Sequence, residues 1–323
     1  MKRKRNLYND IYKLENIMLV YDEICRNTKN KRKVNRYKEF KCINIAKIYA
    51  MLSNKKYEVG PYITFEIFEP KRRTIVSQQM TDKLVNHLVS RFILYPAVMP
   101  CLIDTNVASR VKKGTKAGLE YFKEYSRICK VKYGTYYILK CDVRKFFANI
   151  DHDILKRKLR TRIKDKDALD IVYKIIDSNE KGLGIGNMTS QILAIFYLND
   201  LDHYIKEVLK IRYYIRYQDD FVLFHESKEY LQECLEKIKE FLGREKLVLN
   251  EKTRIYNSNG NFIFLGRNKY GKYSKYRTIK RKIKKSMYLY NCGKYKLNGL
   301  ISVIRNYEQL SKKKLNVVNS RRE

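Results

Sequence analysis

The sequence predicts an α+β fold in which helices surround an antiparallel sheet with a hairpin that ends in two adjacent acids. Three observations point there. Apolar residues recur at helical spacing in several long segments, as with Leu84, Leu88, Phe92 and Tyr95. Short runs rich in β-branched and aromatic residues lie between them, at Tyr136 to Cys141, Ile211 to Arg216 and Phe221 to Phe224. The last two meet at Tyr217-Gln218-Asp219-Asp220, which reads as a hairpin tip. Strands do not alternate with crossover helices as a doubly wound parallel sheet requires.

Residues 1–60 read as mainly helical. A basic tip, Lys2 to Arg5, precedes an amphipathic stretch from Leu7 to about Ile24. A polar, basic break over 27–36 separates it from a second helix, Tyr37 to Ser53, and Gly60-Pro61 closes the segment. Tyr62 to Phe68 alternates like a strand, Glu69-Pro70-Lys71-Arg72-Arg73 turns the chain, and Thr74-Ile75-Val76 continues as strand. Helices are expected over Gln79–Tyr95 and 116–130, then a strand from Tyr136 that ends at Asp142. Asp151 to Asp177 reads as helix with Asp151 as its N-cap. A glycine-rich loop, Gly182-Leu183-Gly184-Ile185-Gly186-Asn187, opens a helix running from about Thr189 to Leu209. After the hairpin come a helix over Lys228–Phe241, a strand at Leu247–Leu249, a strand at Phe262–Leu265 and a basic tail.

Composition narrows the function. Hydrophobic residues at 44% of 323 support a packed core, yet the formal net charge is +36. Self-repulsion of that size favours a polyanionic partner, and nucleic acid is the first candidate. No run of about 18 apolar residues and no signal peptide or lipidation motif argues for a membrane. The cysteines at 25, 42, 101, 129, 141, 234 and 292 are odd in number and form no C-x-x-C pair, which fits a reducing cytoplasm without disulfide framework or zinc site. From Arg267 onward 18 Lys/Arg face two acids, Glu308 and Glu323, with tyrosines interleaved. Basic residues alternating with aromatics suit a surface that tracks phosphates and packs on sugars or bases.

The chemistry concentrates in three stretches. Adjacent carboxylates at the end of an apolar hairpin repel each other and are costly to desolvate, and a hard divalent cation such as Mg²⁺ would offset both. Asp142, at the end of a second apolar strand, offers a further carboxylate, although a turn or N-cap aspartate is its plainer reading. The loop and helix from Gly184 to Gln191 offer backbone N–H groups to phosphates. Carboxylates for two metals, a phosphate-friendly loop and a basic groove are what phosphoryl transfer on a nucleic acid requires.

Asp142 with Phe147, the Gly186–Ser190–Gln191 loop, Tyr217 to Asp220 and the Phe264-Leu265-Gly266 corner resemble the successive palm motifs of reverse transcriptases, in order and spacing. Glu69-Pro70-Lys71-x-Arg73 resembles the fingers motif that precedes them, and Asn250-Glu251-Lys252-Thr253 the lysine motif after the hairpin. The loop pattern Ile185-Gly186-x-x-x-Ser190-Gln191 further resembles reverse transcriptases of diversity-generating retroelements, related to group II intron and retron enzymes. Lys2 to Leu7, Tyr37-x-Glu39-Phe40, Tyr57-x-x-Gly60-Pro61-Tyr62 and Lys113-Gly114-Thr115 share that likeness. Gln218 departs from the methionine common there, and the tail from Tyr273 matches only loosely.

The resemblance implies a right-hand polymerase fold with an N-terminal helical extension (1–60), fingers (61–135 with part of 151–185), an antiparallel-sheet palm (136–266) and a short helical basic thumb (267–323). It implies catalysis by Asp142, Asp219 and Asp220, with two Mg²⁺ ions held by Asp142, Val143, Asp219 and Asp220. Nucleotide contacts fall to Lys71, Arg73, Phe147 as a gate against the ribose 2′-hydroxyl, Ile185, Gly186, Ser190, Gln191 and Lys252. Primer and template contacts fall to Tyr217, Gln218, Phe264, Leu265 and Gly266. Phe146 is expected in the core, His152 and His203 in structural roles, and Asp151, Asp153 and Asp202 as caps or helix-face charges. The implied partners are template RNA, the RNA/cDNA duplex, dNTPs and a pentameric accessory variability protein, in a bacterial cytoplasm whether cell- or phage-encoded. The implied function is error-prone copying of a template-repeat RNA, with adenines miscopied, for mutagenic retrohoming. A defence-associated polymerase with template-independent or protein-primed synthesis, and an inactive RNA-binding relative, are the alternatives.

Overall fold

The computed structural model describes residues 3–28, 30–67, 73–260, 262–268, 276–295, 297, 299–301 and 303–305. Two compact units form, one from 1–63 with 76–261 and the other from 64–75 with 262–323.

Among the described residues the strands are β1 (Ile63–Ile67), β2 (Arg73–Ser77), β3 (Tyr137–Asp142), β4 (Tyr213–Tyr217), β5 (Asp220–His225), β6 (Arg254–Asn257), β7 (Ile263–Phe264) and β8 (Arg267–Asn268). The larger unit is organised on a four-stranded sheet in the order β4-β5-β3-β6, and its pairings are antiparallel. The four residues 213–216 of β4 and the four interior residues of β5 are all buried, so both faces of the sheet are covered. On the face carrying Val222 and Phe224, Phe122 and Tyr125 of the Thr115–Tyr133 helix ring Phe224, with centroids 5.3 and 6.1 Å away. The Lys228–Arg244 helix packs on β3, β5 and β6. This α+β arrangement agrees with the fold class expected from the sequence.

Several elements differ from the sequence reading, each for a local reason. The polar stretch expected as a break contains the helix Lys31–Glu39, started by Asn30, whose side chain accepts from the Lys33 amide. Only Val34 of this helix is buried, so it shows almost no apolar periodicity. The single helix expected over Asp151–Asp177 is two, His152–Arg160 and Lys166–Asp177. Asp165 breaks it by capping the second, and its other oxygen accepts from the amides of Leu7 and Tyr8. The helix expected to stop at Tyr95 continues to Val98, because a widened π-helical turn over Val89–Leu94 admits Pro96 without a blocked hydrogen bond. Leu247–Leu249 forms no strand of its own: Leu249 makes a single bridge to Val143, and the edge strand is β6.

In the second unit β7 and β8 form a hairpin with Ile263 opposite Asn268 and Phe264 opposite Arg267. Its central residues, Leu265 and Gly266, both carry positive φ (49° and 76°), the signature of a type I′ turn. The helix Tyr276–Asn291 exposes Arg281, Lys284, Lys285 and Tyr288. No helix among the described residues is long and apolar enough to cross a membrane.

Candidate active site

β3 and β5 place Asp142 directly opposite Asp220, and β4 places Tyr217 opposite Asp220 on its other side. Directly opposed residues share a face, so Tyr217, Asp220 and Asp142 line one edge of the sheet surface. Asp219 sits in the turn between β4 and β5, and its carbonyl accepts from the Val143 amide at 3.2 Å. The turn is tight because Gln218 adopts φ 56°, a conformation most non-glycine residues avoid. The loop after the expected strand at 247–249 is fastened to the same place: the Asn250 amide donates to the Asp142 carbonyl at 2.7 Å and the Arg144 amide to the Val248 carbonyl at 2.8 Å. Lys252, two residues further on, is exposed.

The electrostatics are those of a site short of positive charge. Lys140, diagonal to Asp220 on the same face, approaches its Oδ2 only to 3.6 Å. Asp220 Oδ1 is buried with no hydrogen-bond partner among the described residues. Burial, with the charges of Asp142 and Asp219 added and Lys140 opposing, pushes the Asp220 carboxyl up to about 7. The Cys141 thiol, wholly buried and next to Asp142 in sequence, is pushed up by burial and by the charges of Asp220 and Asp142. No three His, Cys, Asp or Glu side chains among the described residues converge as a ready ligand cage. Mg²⁺, however, is commonly held by one or two carboxylates completed by substrate phosphates and water. Asp142, Asp219 and the orphaned Asp220 oxygen fit that role; Val143, with its side chain 2% exposed, could join only through its main chain.

A folded-state carboxyl raised to about 7 sets the sign of a pH effect. The unfolded chain releases this proton near pH ~4, so ionising Asp220 in the folded protein costs stability as pH rises through 7. A bound divalent cation removes that cost. Mg²⁺ is therefore expected to raise the thermal unfolding midpoint more at pH 8 than at pH 6; equal increments would contradict the assignment.

Hydrogen bonds tie the segments that carry several of the expected residues to those that carry the acids. Phe146 is in the core, while Phe147 is half-buried and meets it edge-on at 5.7 Å. The Phe147 carbonyl accepts from the Leu183 amide at 2.8 Å, which brings the glycine loop against the segment after Asp142. Gly182 makes this approach possible. It has φ 66°, and a Cβ there would lie 2.4 Å from the Phe147 carbonyl oxygen and 2.7 Å from the Ala148 backbone. Gly182→Ala is expected to cost about 3 kcal/mol or more, combining strain with a backbone clash. Gly243→Ala, with open space in a helix, should stabilise by up to ~1 kcal/mol. Chemical denaturation of the two variants checks the contrast.

Ile185 is half-buried, Gly186 is exposed with φ 123°, and Ser190 is buried on the first turn of the Met188–Tyr197 helix. Exposed Gln191 accepts from Ser109 through Oε1 at 3.2 Å, and Ser109 accepts from the Gln218 side chain at 3.0 Å. A polar chain thus joins the loop helix to the hairpin turn through a residue the sequence reading did not single out. His152 and His203 hold structure, on the Gly182 and Cys101 carbonyls, and Asp151 caps its helix through the Ile154 amide. Asp202 is a correction: it is fully buried and bonds Arg216 (0% exposed), so it is neither a cap nor a helix-face charge. Lys71 and the side chain of Arg73 lie outside the described residues. Phe264, Leu265 and Gly266 belong to the second unit, in the β7–β8 hairpin.

Residues 69–268 match the family model described as reverse transcriptase (RNA-dependent DNA polymerase). Protein YkfC of Escherichia coli is 27% identical over 184 residues, 43% of this chain and 48% of that protein. The group II intron-encoded protein LtrA of Lactococcus lactis subsp. cremoris is 26% identical over 154 residues, 44% of this chain and 24% of that protein. The chain therefore spans about half the length of one curated relative and a quarter of the other. Among solved structures, telomerase from Candida albicans in complex with a fragment of telomeric RNA superposes with a TM-score of 0.51 at 13% identity, covering 83% of this chain and 55% of that one. At that identity the likeness is one of fold.

Proposed function

This chain belongs to the reverse transcriptase (RNA-dependent DNA polymerase) family, and from that premise we propose that it extends a primer along an RNA template by adding deoxynucleotides. The observation that carries the reading is the pairing of Asp142 with Asp220 across β3 and β5, with Asp219 in the adjoining turn. Asp142, Asp219 and Asp220 would hold two Mg²⁺ ions, which supply Lewis-acid activation of the primer hydroxyl and stabilise the leaving pyrophosphate. The chain's own residues do the rest. Tyr217, beside Asp220 on the same face, supports the primer end. Ile185 and Gly186, near the N-terminus of the Met188–Tyr197 helix, form a floor under the nascent pair, with the helix N–H groups favouring phosphate. Half-buried Phe147, held through its carbonyl by Leu183, would crowd a 2′-substituent, and Lys252 would meet the leaving group. The net charge of +36 supports an RNA/cDNA duplex as partner. Purified chain given primed RNA, single dNTPs and Mg²⁺ tests the reading: addition should follow the template base, and untemplated addition would contradict it.

Within the family we read the chain as the polymerase of a diversity-generating retroelement, copying a template-repeat RNA with errors at adenines for mutagenic retrohoming in a bacterial cytoplasm. The support is the Ile185-Gly186-x-x-x-Ser190-Gln191 pattern. An aliphatic side chain at 185 makes no hydrogen bond to hold template and nucleotide in register, whereas a glutamine amide could. A pentameric accessory protein with a structured RNA would complete the particle. Ile185→Gln is expected to lower misincorporation opposite template adenine by about tenfold, the worth of roughly one hydrogen bond. Sequencing cDNA from parent and variant checks this, and equal adenine error rates would sink the assignment.

A further inference from the structure

On the sheet face opposite Asp142 and Asp220 lies an ion pair that the polymerase chemistry does not use. Arg216 and Asp202 are both fully buried. The guanidinium grips the carboxylate in a fork, Nε to Oδ1 at 2.6 Å and Nη2 to Oδ2 at 2.5 Å. Asp202 also accepts from the Tyr214 hydroxyl at 2.7 Å and the Asn106 amide at 3.2 Å. The remaining Arg216 donors point elsewhere: Nη2 to the Ile195 carbonyl at 2.9 Å, and Nη1 to the Gln218 carbonyl at 3.1 Å. Its backbone is fixed on both sides, donating to the Thr105 carbonyl and accepting from the Val107 amide.

We propose that Arg216 is a positioning residue for the turn that carries Asp219 and Asp220, with Asp202 as the counterion that orients it. Its catalytic consequence rests on the polymerase reading above. A buried ion pair is weak evidence for stability, because desolvation consumes most of the attraction. Directional control explains this one better. The fourth guanidinium bond ends on the carbonyl immediately before Asp219, in a residue with φ 56°. The side chain of the same residue is held by Ser109. Gln218 is therefore gripped at both its carbonyl and its amide, as a strained turn needs if surrounding structure is to over-determine it. The same guanidinium also touches the helix that begins at the glycine loop, so one rigid group sets the turn against the nucleotide floor.

Arg216→Lys keeps the charge opposite Asp202 but loses the planar fork that spans three acceptors. Hydrogen–deuterium exchange of the cation-free protein should rise at least about tenfold in a peptide covering Tyr217–Val222, while peptides from β3 and the Lys228–Arg244 helix keep parent rates. On primed RNA, kcat should fall about ten- to a hundredfold with KM for dNTP within about twofold, as expected of a displaced site. Turn exchange equal to the parent would overturn the proposal. So would a uniform rise across the sheet, which marks a pair that only holds the fold. If Arg216→Lys does not fold, the double change Arg216→Met with Asp202→Leu removes both charges, and the same outcomes decide; failure of both to fold also overturns it. The exchange arm needs no activity, so an inactive parent would count against the polymerase reading alone.

Discussion

Asp142→Asn and Asp219→Asn are each expected to lower the rate of RNA-templated primer extension by about a thousandfold or more. Both changes keep the shape of the side chain and remove its charge. Lewis-acid stabilisation of a phosphoryl transition state is worth several kcal/mol, and each 1.36 kcal/mol is about a factor of ten. Neither variant should unfold, because Asp142 and Asp219 are only half-buried. The contacts that fix their positions, Asn250 to the Asp142 carbonyl and Val143 to the Asp219 carbonyl, are backbone bonds. Asp220→Asn should do less harm. Burial already holds its carboxyl up to about 7, and Lys140 partly balances its charge, so it contributes a weaker negative field. Single-turnover extension at saturating dNTP, with circular dichroism to verify folding, separates the three variants.

The largest effect on stability is expected at a residue outside the chemistry. Asp202→Ala strips the counterion from fully buried Arg216 and should cost about 3–5 kcal/mol. That is a large share of the ~5–15 kcal/mol available to a typical domain, so the variant should sit at the edge of unfolding at 37 °C. The penalty comes from what remains behind: a guanidinium with no anion, and the Tyr214 hydroxyl and Asn106 amide without their acceptor. Burial, which acts in the variant as in the parent, favours the protonated Tyr214 hydroxyl, so it is a poor substitute for the missing anion. Asp200 is a stringent control. It lies two residues earlier, its side chain is 52% exposed, and its partner Lys158 keeps Glu245 at 3.0 Å. Asp200→Ala should therefore cost no more than about 1 kcal/mol in the same denaturation experiment.

That contrast also shows where sequence reasoning ran out. The carboxylates of the site were legible because charge stood where only apolar residues belonged. Asp142 ends a buried strand, and Asp219-Asp220 interrupts two more. Asp202 carried no such mark. It sits in Asn199-Asp200-Leu201-Asp202-His203, and nothing local tells its wholly buried carboxyl from the exposed one of Asp200. The usable signal lay in its partner. An arginine between Ile215 and Tyr217, in a strand this apolar, must find a buried anion, and that inference could have been drawn. β6 was missed because its four residues are exposed or half-exposed and show no period-2 apolar pattern. The Lys31–Glu39 helix was missed for the same kind of reason, with a single buried residue. Ser109 was illegible because it acts through a loop whose path depends on tertiary contacts, and its φ of 52° leaves no trace in the sequence.

The central claim is that β3 and the β4–β5 hairpin form a polymerase site around Asp142, Asp219 and Asp220. Extension of a primed RNA by purified parent and Asp219→Asn protein, with dNTPs and Mg²⁺, tests it most directly. The expected result is template-directed cDNA from the parent and a rate about a thousandfold lower from a folded variant that still binds the primed RNA. Equal extension by the two proteins would contradict it, as would a folded, RNA-binding parent that adds no nucleotide.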